Sequence, residues 1–214
     1  MGDPTAISID FDPTVRRMKG VTVHGAMAFD VPYISEIAPN LWQGGCQQGL
    51  ILPTTIQHLV SLYPWEGYRV AHELDSVLLV RMYDSEDQTF EQIEEIARWV
   101  NLCRTTGPVL VHCQAGLNRS SLVAARALML DGMTAEDAIR TVREKRSPAC
   151  LCNRAFEDYL HTCVDTGPGR QTGHAVSDRR PERMIAAPAG RDGMIVRDTW
   201  AAVRAGVAPP VVEE

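Results

Sequence analysis

Short apolar runs bounded by turn residues alternate along this chain with longer stretches whose apolar positions recur every three or four residues. Runs rich in Val, Leu and Ile predict strands at Tyr33 to Ala38, Leu41 to Gly44, His58 to Leu62, Val77 to Met82 and Val109 to His112, with one short strand earlier, at Val21 to His24. Phe90, Ile93, Ile96, Ala97, Val100 and Cys103 fall at helical spacing behind Thr89-x-x-Gln92, which has the pattern of a capping box. That helix must end before Gly107-Pro108. A second helix is predicted over the apolar run Leu122 to Leu130. A third opens at Thr134-x-x-Asp137, with Ala135, Ala138, Ile139 and Val142 on one face, and a last runs from about Asn153 to Cys163. Strands alternating with helices imply an α/β fold: a three-layer sandwich with a central, mostly parallel sheet flanked by helices. Val77 to Met82 and Val109 to His112 are expected at the centre of the sheet.

The same pattern divides the chain. Residues 1–29 form an N-terminal extension with no legible functional signal, residues 30–164 hold one good core, and residues 165–214 change character. This last segment has Gly, Pro and Arg in quantity, no Lys, and acids that balance the arginines. Val196, Trp200, Val203 and Val207 lie at i, i+4, i+7 and i+11, so one short amphipathic helix is expected there. No run of apolar residues is long enough to span a bilayer, and the N-terminus has acids where a signal peptide would be basic and apolar. The six cysteines have no framework spacing. These features imply a cytoplasmic enzyme in a reducing compartment, with no membrane partner. Residues 30–164 carry 11 Lys and Arg against 17 Asp and Glu, so nucleic acid is an unexpected partner. The basic cluster Arg140, Arg143, Lys145 and Arg146 sits toward a helix C-terminus, where cations are expected for the helix dipole alone.

The chemistry concentrates in His112-Cys113-Gln114-Ala115-Gly116-Leu117-Asn118-Arg119-Ser120. A cysteine ends an apolar strand, Gly116 supplies a sharp bend, and Arg119 stands where a helix begins. If the chain turns tightly from Cys113 to Arg119, the amides of Gln114, Ala115, Gly116, Leu117 and Asn118 face inward at a helix mouth. The helix dipole favours an anion there, and the same field favours a thiolate. Cys-x5-Arg spacing alone is weak in an arginine-rich chain, but of the six cysteines only Cys113 has the strand, the glycine and the helix around it. Val77 to Met82 leads into Tyr83-Asp84-Ser85-Glu86-Asp87, which puts acids on a loop beside this turn. Cys150-x-Cys152 with His161-x-Cys163 lacks the spacing of a zinc knuckle and is read as structural thiols. No metal or cofactor is called for.

This motif resembles the signature of the cysteine-based protein tyrosine phosphatases, in their compact dual-specificity branch. The segment Tyr33 to Gly45 is similar to the strand pair that opens such domains, and Arg143 to Leu160 to their closing helices. The resemblance covers about residues 30 to 164. It implies that Cys113 takes the phosphoryl group, that Arg119 grips two of its oxygens, and that Ser120 donates a hydrogen bond to the sulfur as it leaves. It also favours Asp84 as the proton donor, with Asp87 as the competing candidate. The Trp-Pro that precedes this acid in the tyrosine-specific branch is absent. His112 is expected to orient the loop through backbone contacts. The implied function is a protein phosphatase acting on phosphotyrosine, and on phosphoserine or phosphothreonine, through a phosphocysteine intermediate. Two alternatives stay open: hydrolysis of RNA 5′-triphosphates or another non-protein phosphoester, and a catalytically silent phosphate-binding module.

Overall fold

A computed structural model describes residues 12–85, 88 and 90–163. Asp87, Thr89 and the segment expected to carry a helix near Trp200 lie outside the described residues. Five strands form one sheet: β3 (Ile34–Ala38), β4 (Leu41–Gly44), β5 (His58–Ser61), β6 (Ser76–Leu79) and β7 (Val109–His112), in the order β3-β4-β7-β5-β6. Only the β3–β4 pair is antiparallel, with a bulge between Glu36 and Ala38; β4–β7, β7–β5 and β5–β6 are parallel. This is the mostly parallel α/β architecture that the alternating pattern predicts.

The central position belongs to β7, which is buried at all four residues, but β6 lies at the sheet edge, contrary to expectation. β6 is only half buried and ends at Leu79, three residues short of the predicted end. An edge strand pairs on one side only, so nothing extends its ladder through Val80 to Met82 beyond the bond from Val80 N–H to the Ser61 carbonyl.

The sheet divides two cores by the alternation of its strands. Val60, Val109 and Val111 face the helices α1 (Ile93–Arg104), α2 (Arg119–Leu130), α3 (Ala135–Lys145) and α4 (Arg154–Thr162). Leu59 and Leu110 face the other way, onto Cys46, Leu50, Leu52, Ile56 and Tyr68. The second covering layer is therefore irregular chain rather than helix among the described residues. α2 is buried from Arg119 to Met129, as a central helix must be. α3 buries the four apolar positions read from its sequence, and the Thr134 hydroxyl accepts the Asp137 N–H at 3.1 Å. Asn153 caps α4 in the same way, accepting from Ala155 N–H.

A second correction concerns the N-terminal segment. The strand expected at Val21 to His24 is displaced: β1 (Arg17–Val21) pairs antiparallel with β2 (Ala28–Pro32), and Thr22 to Met27 make the tip between them. The hairpin spans the boundary drawn at residue 29 and is tied to the sheet by Tyr33 N–H to Arg16 and Ile34 N–H to Pro13. Backbone pairing across the tip, closed by Thr22 N–H to the Met27 carbonyl, outweighs the apolar character of Val23, which is almost fully exposed.

Candidate active site

β7 delivers Cys113 to the C-terminal edge of the sheet, where parallel strands of α/β folds present their ligands. The loop from Cys113 to Asn118 then turns onto the N-terminus of α2. Its carbonyl oxygens are drawn outward one after another: Gln114 accepts from Cys46 N–H, Ala115 and Gly116 from Arg146, Gly116 also from Gln43 Nε2, and Leu117 from the Ser121 hydroxyl and Leu151 N–H. Turning the carbonyls out turns the amides in. The N–H of Gly116 donates to Cys113 Sγ at 3.2 Å, while those of Gln114, Ala115, Leu117 and Asn118 meet no acceptor among the described residues. Unpaired amides following one another on a turn at a helix N-terminus are the donors an anion takes up. Gly116 is in the left-handed region at φ +68, and a Cβ there would come within 2.2 Å of the Gly44 backbone.

Arg119 and Ser120 open α2, as the spacing predicts. Ser120 Oγ lies 3.4 Å from Cys113 Sγ. Arg119 is buried; one terminal nitrogen donates to the Met82 carbonyl at 3.1 Å, and its guanidinium lies 5.3 Å from the Tyr63 ring centre. Its Nε has no partner among the described residues, so the Nε–Nη edge that binds two oxygens at once remains available.

Asp84 is brought to this loop from the exit of β6. Its two oxygens accept from Asn118 Nδ2 at 3.0 Å and from Asn153 Nδ2 at 3.1 Å. His24 Nε2, at the hairpin tip, lies 3.3 Å from Asp84 Oδ1. Asn118 is itself fixed, its amide oxygen accepting from Asn153 N–H and the Cys152 thiol. The structure thus gathers Cys113, Arg119, Ser120 and Asp84. His112 is wholly buried, makes only a 3.4 Å contact from Nδ1 to the Cys113 carbonyl, and packs edge-on against Tyr68. Burial pushes its pKa down to about 4, so it is a neutral ring behind the loop.

Three participants escape a linear reading. The sequence places Arg146 at a helix terminus, but its guanidinium is buried under the loop, donating to the Pro32, Tyr33, Gln43, Ala115 and Gly116 carbonyls and the Ser35 hydroxyl. No carboxylate pairs with it among the described residues; backbone dipoles carry its charge. Gln43 and His24 are equally silent in sequence, since their partners lie 73 and 60 residues away. Arg-Ser-Pro after an amphipathic helix was the one available signal, for Arg146 alone.

A thiol beneath an amide cradle, with an arginine fork and a carboxylate at its rim, defines the class of cysteine-dependent phosphatases. Residues 55–163 match the family described as "Dual specificity phosphatase, catalytic domain", and the chain belongs to that family. It is 32% identical over 126 residues, covering 54% of this chain and 26% of the other, to a probable rhodanese domain-containing dual specificity protein phosphatase of Dictyostelium discoideum. It is 44% identical over 57 residues, 24% of this chain and 33% of the other, to human protein tyrosine phosphatase type IVA 3. The chain thus spans about a quarter to a third of these relatives' length. In fold it is similar to a mouse putative dual specificity phosphatase, with TM-score 0.52, 24% identity, and coverage of 65% of this chain and 88% of that one. Human DUSP28 gives TM-score 0.51 at 22% identity, over 60% of this chain and 90% of that one.

Proposed function

We propose that this chain is a protein phosphatase that hydrolyses phosphotyrosine, and more slowly phosphoserine and phosphothreonine, through a phosphocysteine intermediate. The observation that carries the reading is the convergence on one loop of the Cys113 sulfur, four unpaired amides and the unpaired Nε of Arg119. The amides and Arg119 bind the phosphoryl oxygens and stabilise the charge that builds up on them in the transition state. Cys113 thiolate attacks phosphorus in line, and the bond to the departing oxygen breaks as Asp84 gives that oxygen its proton. Water then attacks the phosphocysteine, losing a proton to Asp84 carboxylate, and the sulfur leaves with a hydrogen bond from Ser120. Asn118, Asn153 and His24 hold Asp84 for both steps.

A protein substrate is favoured over RNA by the fate of the basic cluster. Arg140 is paired with Asp137 and Glu144, Arg143 with Glu157, and Arg146 is buried, so of the four only Lys145 stands exposed without an acidic partner among the described residues. Tyr63, beside Arg119, offers an aromatic wall suited to a phosphotyrosine ring.

A turnover panel of phosphotyrosine peptide, phosphothreonine peptide, phosphoinositide and RNA 5′-triphosphate tests this, with Cys113→Ser as the control. The phosphotyrosine peptide should have the highest kcat/KM, and Cys113→Ser should abolish turnover while still binding phosphate. An RNA 5′-triphosphate turned over ten times better than any phosphopeptide would overturn the substrate class. Activity surviving in Cys113→Ser would overturn the nucleophile.

A further inference from the structure

Beyond the phosphate pocket, the structure places a run of aromatic rings and a cation on the surface. Arg119 lies 5.3 Å from the Tyr63 ring centre, Tyr63 lies 4.9 Å from Trp65, and Arg81 lies 4.7 Å above Trp65 and 5.7 Å above Tyr83. Trp65 is 49% exposed and Tyr83 55%. Tyr63 and Trp65 belong to the connection between β5 and β6, whereas Arg81 and Tyr83 follow β6 and lead directly into Asp84. Two chain segments therefore build one ridge that starts in the pocket and ends beside Asp84.

Neither packing nor charge balance within the domain accounts for the far end of this ridge. Exposed Trp and Tyr contribute little to the core, and Trp, Tyr and Arg are the residues that concentrate binding energy at recognition surfaces. Arg81 is exposed and pairs with no acid among the described residues. Two rings against its guanidinium limit its rotamers, while its N–H donors meet no acceptor among the described residues. A pre-oriented planar fork fits a carboxylate, which it grips through two parallel hydrogen bonds.

We infer that the Tyr63–Trp65–Arg81–Tyr83 ridge reads an acidic side chain close to the phosphorylated residue of a protein substrate. This rests on the protein phosphatase reading above. The three ring contacts put Arg81 at most about 15 Å from Arg119, which an extended peptide crosses in roughly four or five residues. The domain as a whole is acidic, so its overall field does not attract such a substrate; the preference is local, set by Arg81.

Matched phosphotyrosine peptides test it, identical except for Glu or Gln at each of the five positions on either side, with 4-nitrophenyl phosphate as a substrate too small to extend past Tyr63 to Arg81. With the wild-type chain, at least one Glu peptide should surpass its Gln partner about three- to ten-fold in kcat/KM, mainly through KM, and less at high salt. Arg81→Ala should bring that ratio to about one, Arg81→Glu should take it below one, and Trp65→Ala should reduce it. All three variants should hydrolyse 4-nitrophenyl phosphate within about twofold of wild type. Phosphopeptide turnover with no Glu preference at any position, or a preference that survives Arg81→Ala, would overturn the ridge and leave the phosphatase reading intact. Hydrolysis of 4-nitrophenyl phosphate with no turnover of any phosphopeptide would overturn both.

Discussion

At the scale of single residues, the carbonyls from Gln114 to Leu117 are all taken up by donors behind the loop. Gly116 is the hinge of this arrangement, since only a residue without Cβ both adopts its φ and clears the Gly44 backbone. Asp84 is bound on both oxygens by the side-chain amides of Asn118 and Asn153, so its position is decided before substrate arrives. On the proposed mechanism its removal withdraws proton delivery while leaving Cys113, Arg119 and the loop amides in the chain. Asp84→Ala should therefore slow alkyl phosphates by about 10² to 10⁴ but aryl phosphates with good leaving groups far less, because only the former need the proton. The check is the slope of log kcat against leaving-group pKa, which should steepen. An unchanged slope, with the steepening appearing in Asp87→Ala instead, would move the role to Asp87.

At the scale of elements, the N-terminal hairpin is the least expected contributor. Its β1–β2 pairing looks peripheral, yet the tip sets His24 against Asp84 and brings Gly25 close to Cys152. His24 touches the candidate acid and not the phosphate loop, so its role is to position. His24→Ala should lower kcat about three- to ten-fold on substrates with poor leaving groups and leave those with good leaving groups within about twofold. His24→Gln, which keeps a donor, should recover part of the loss. Equal losses on both substrate types would instead mean that the hairpin acts on the fold as a whole.

At the scale of the molecule, the sheet and α2 hold several polar groups in a dry interior, and that links stability to pH. His112 titrates at about 4 in the folded chain, against about 6.5 in an unfolded one. The unfolded state takes up a proton first as pH falls. Stability should therefore decline from about pH 6.5 toward pH 4, by roughly 3 kcal/mol from this residue. His58 is shifted in the same direction by burial and adds to the slope. Urea denaturation of wild type and His112→Asn at pH 7 and pH 4.5 checks this: the variant should lose less stability over the interval. Parallel losses would show that His112 does not govern it.

Periodicity and turn chemistry are local properties, and what they determine was legible in the chain. The strand–glycine–helix context singled out Cys113, Gly116, Arg119 and Ser120, because a phosphate loop is continuous in sequence. α3 announced its capping threonine and its buried face for the same reason. Strand order was not legible: Val77 to Met82 is as apolar as a central strand, and only pairing put β7 between β4 and β5 and left β6 at the edge. Nor were Arg146, Gln43 and His24, polar residues whose meaning depends on partners many residues away. An arginine near a helix end looks the same on the surface as under a phosphate loop. Its role is settled by which carbonyls the folded chain gathers around it, and those belong to segments that meet only when the sheet closes.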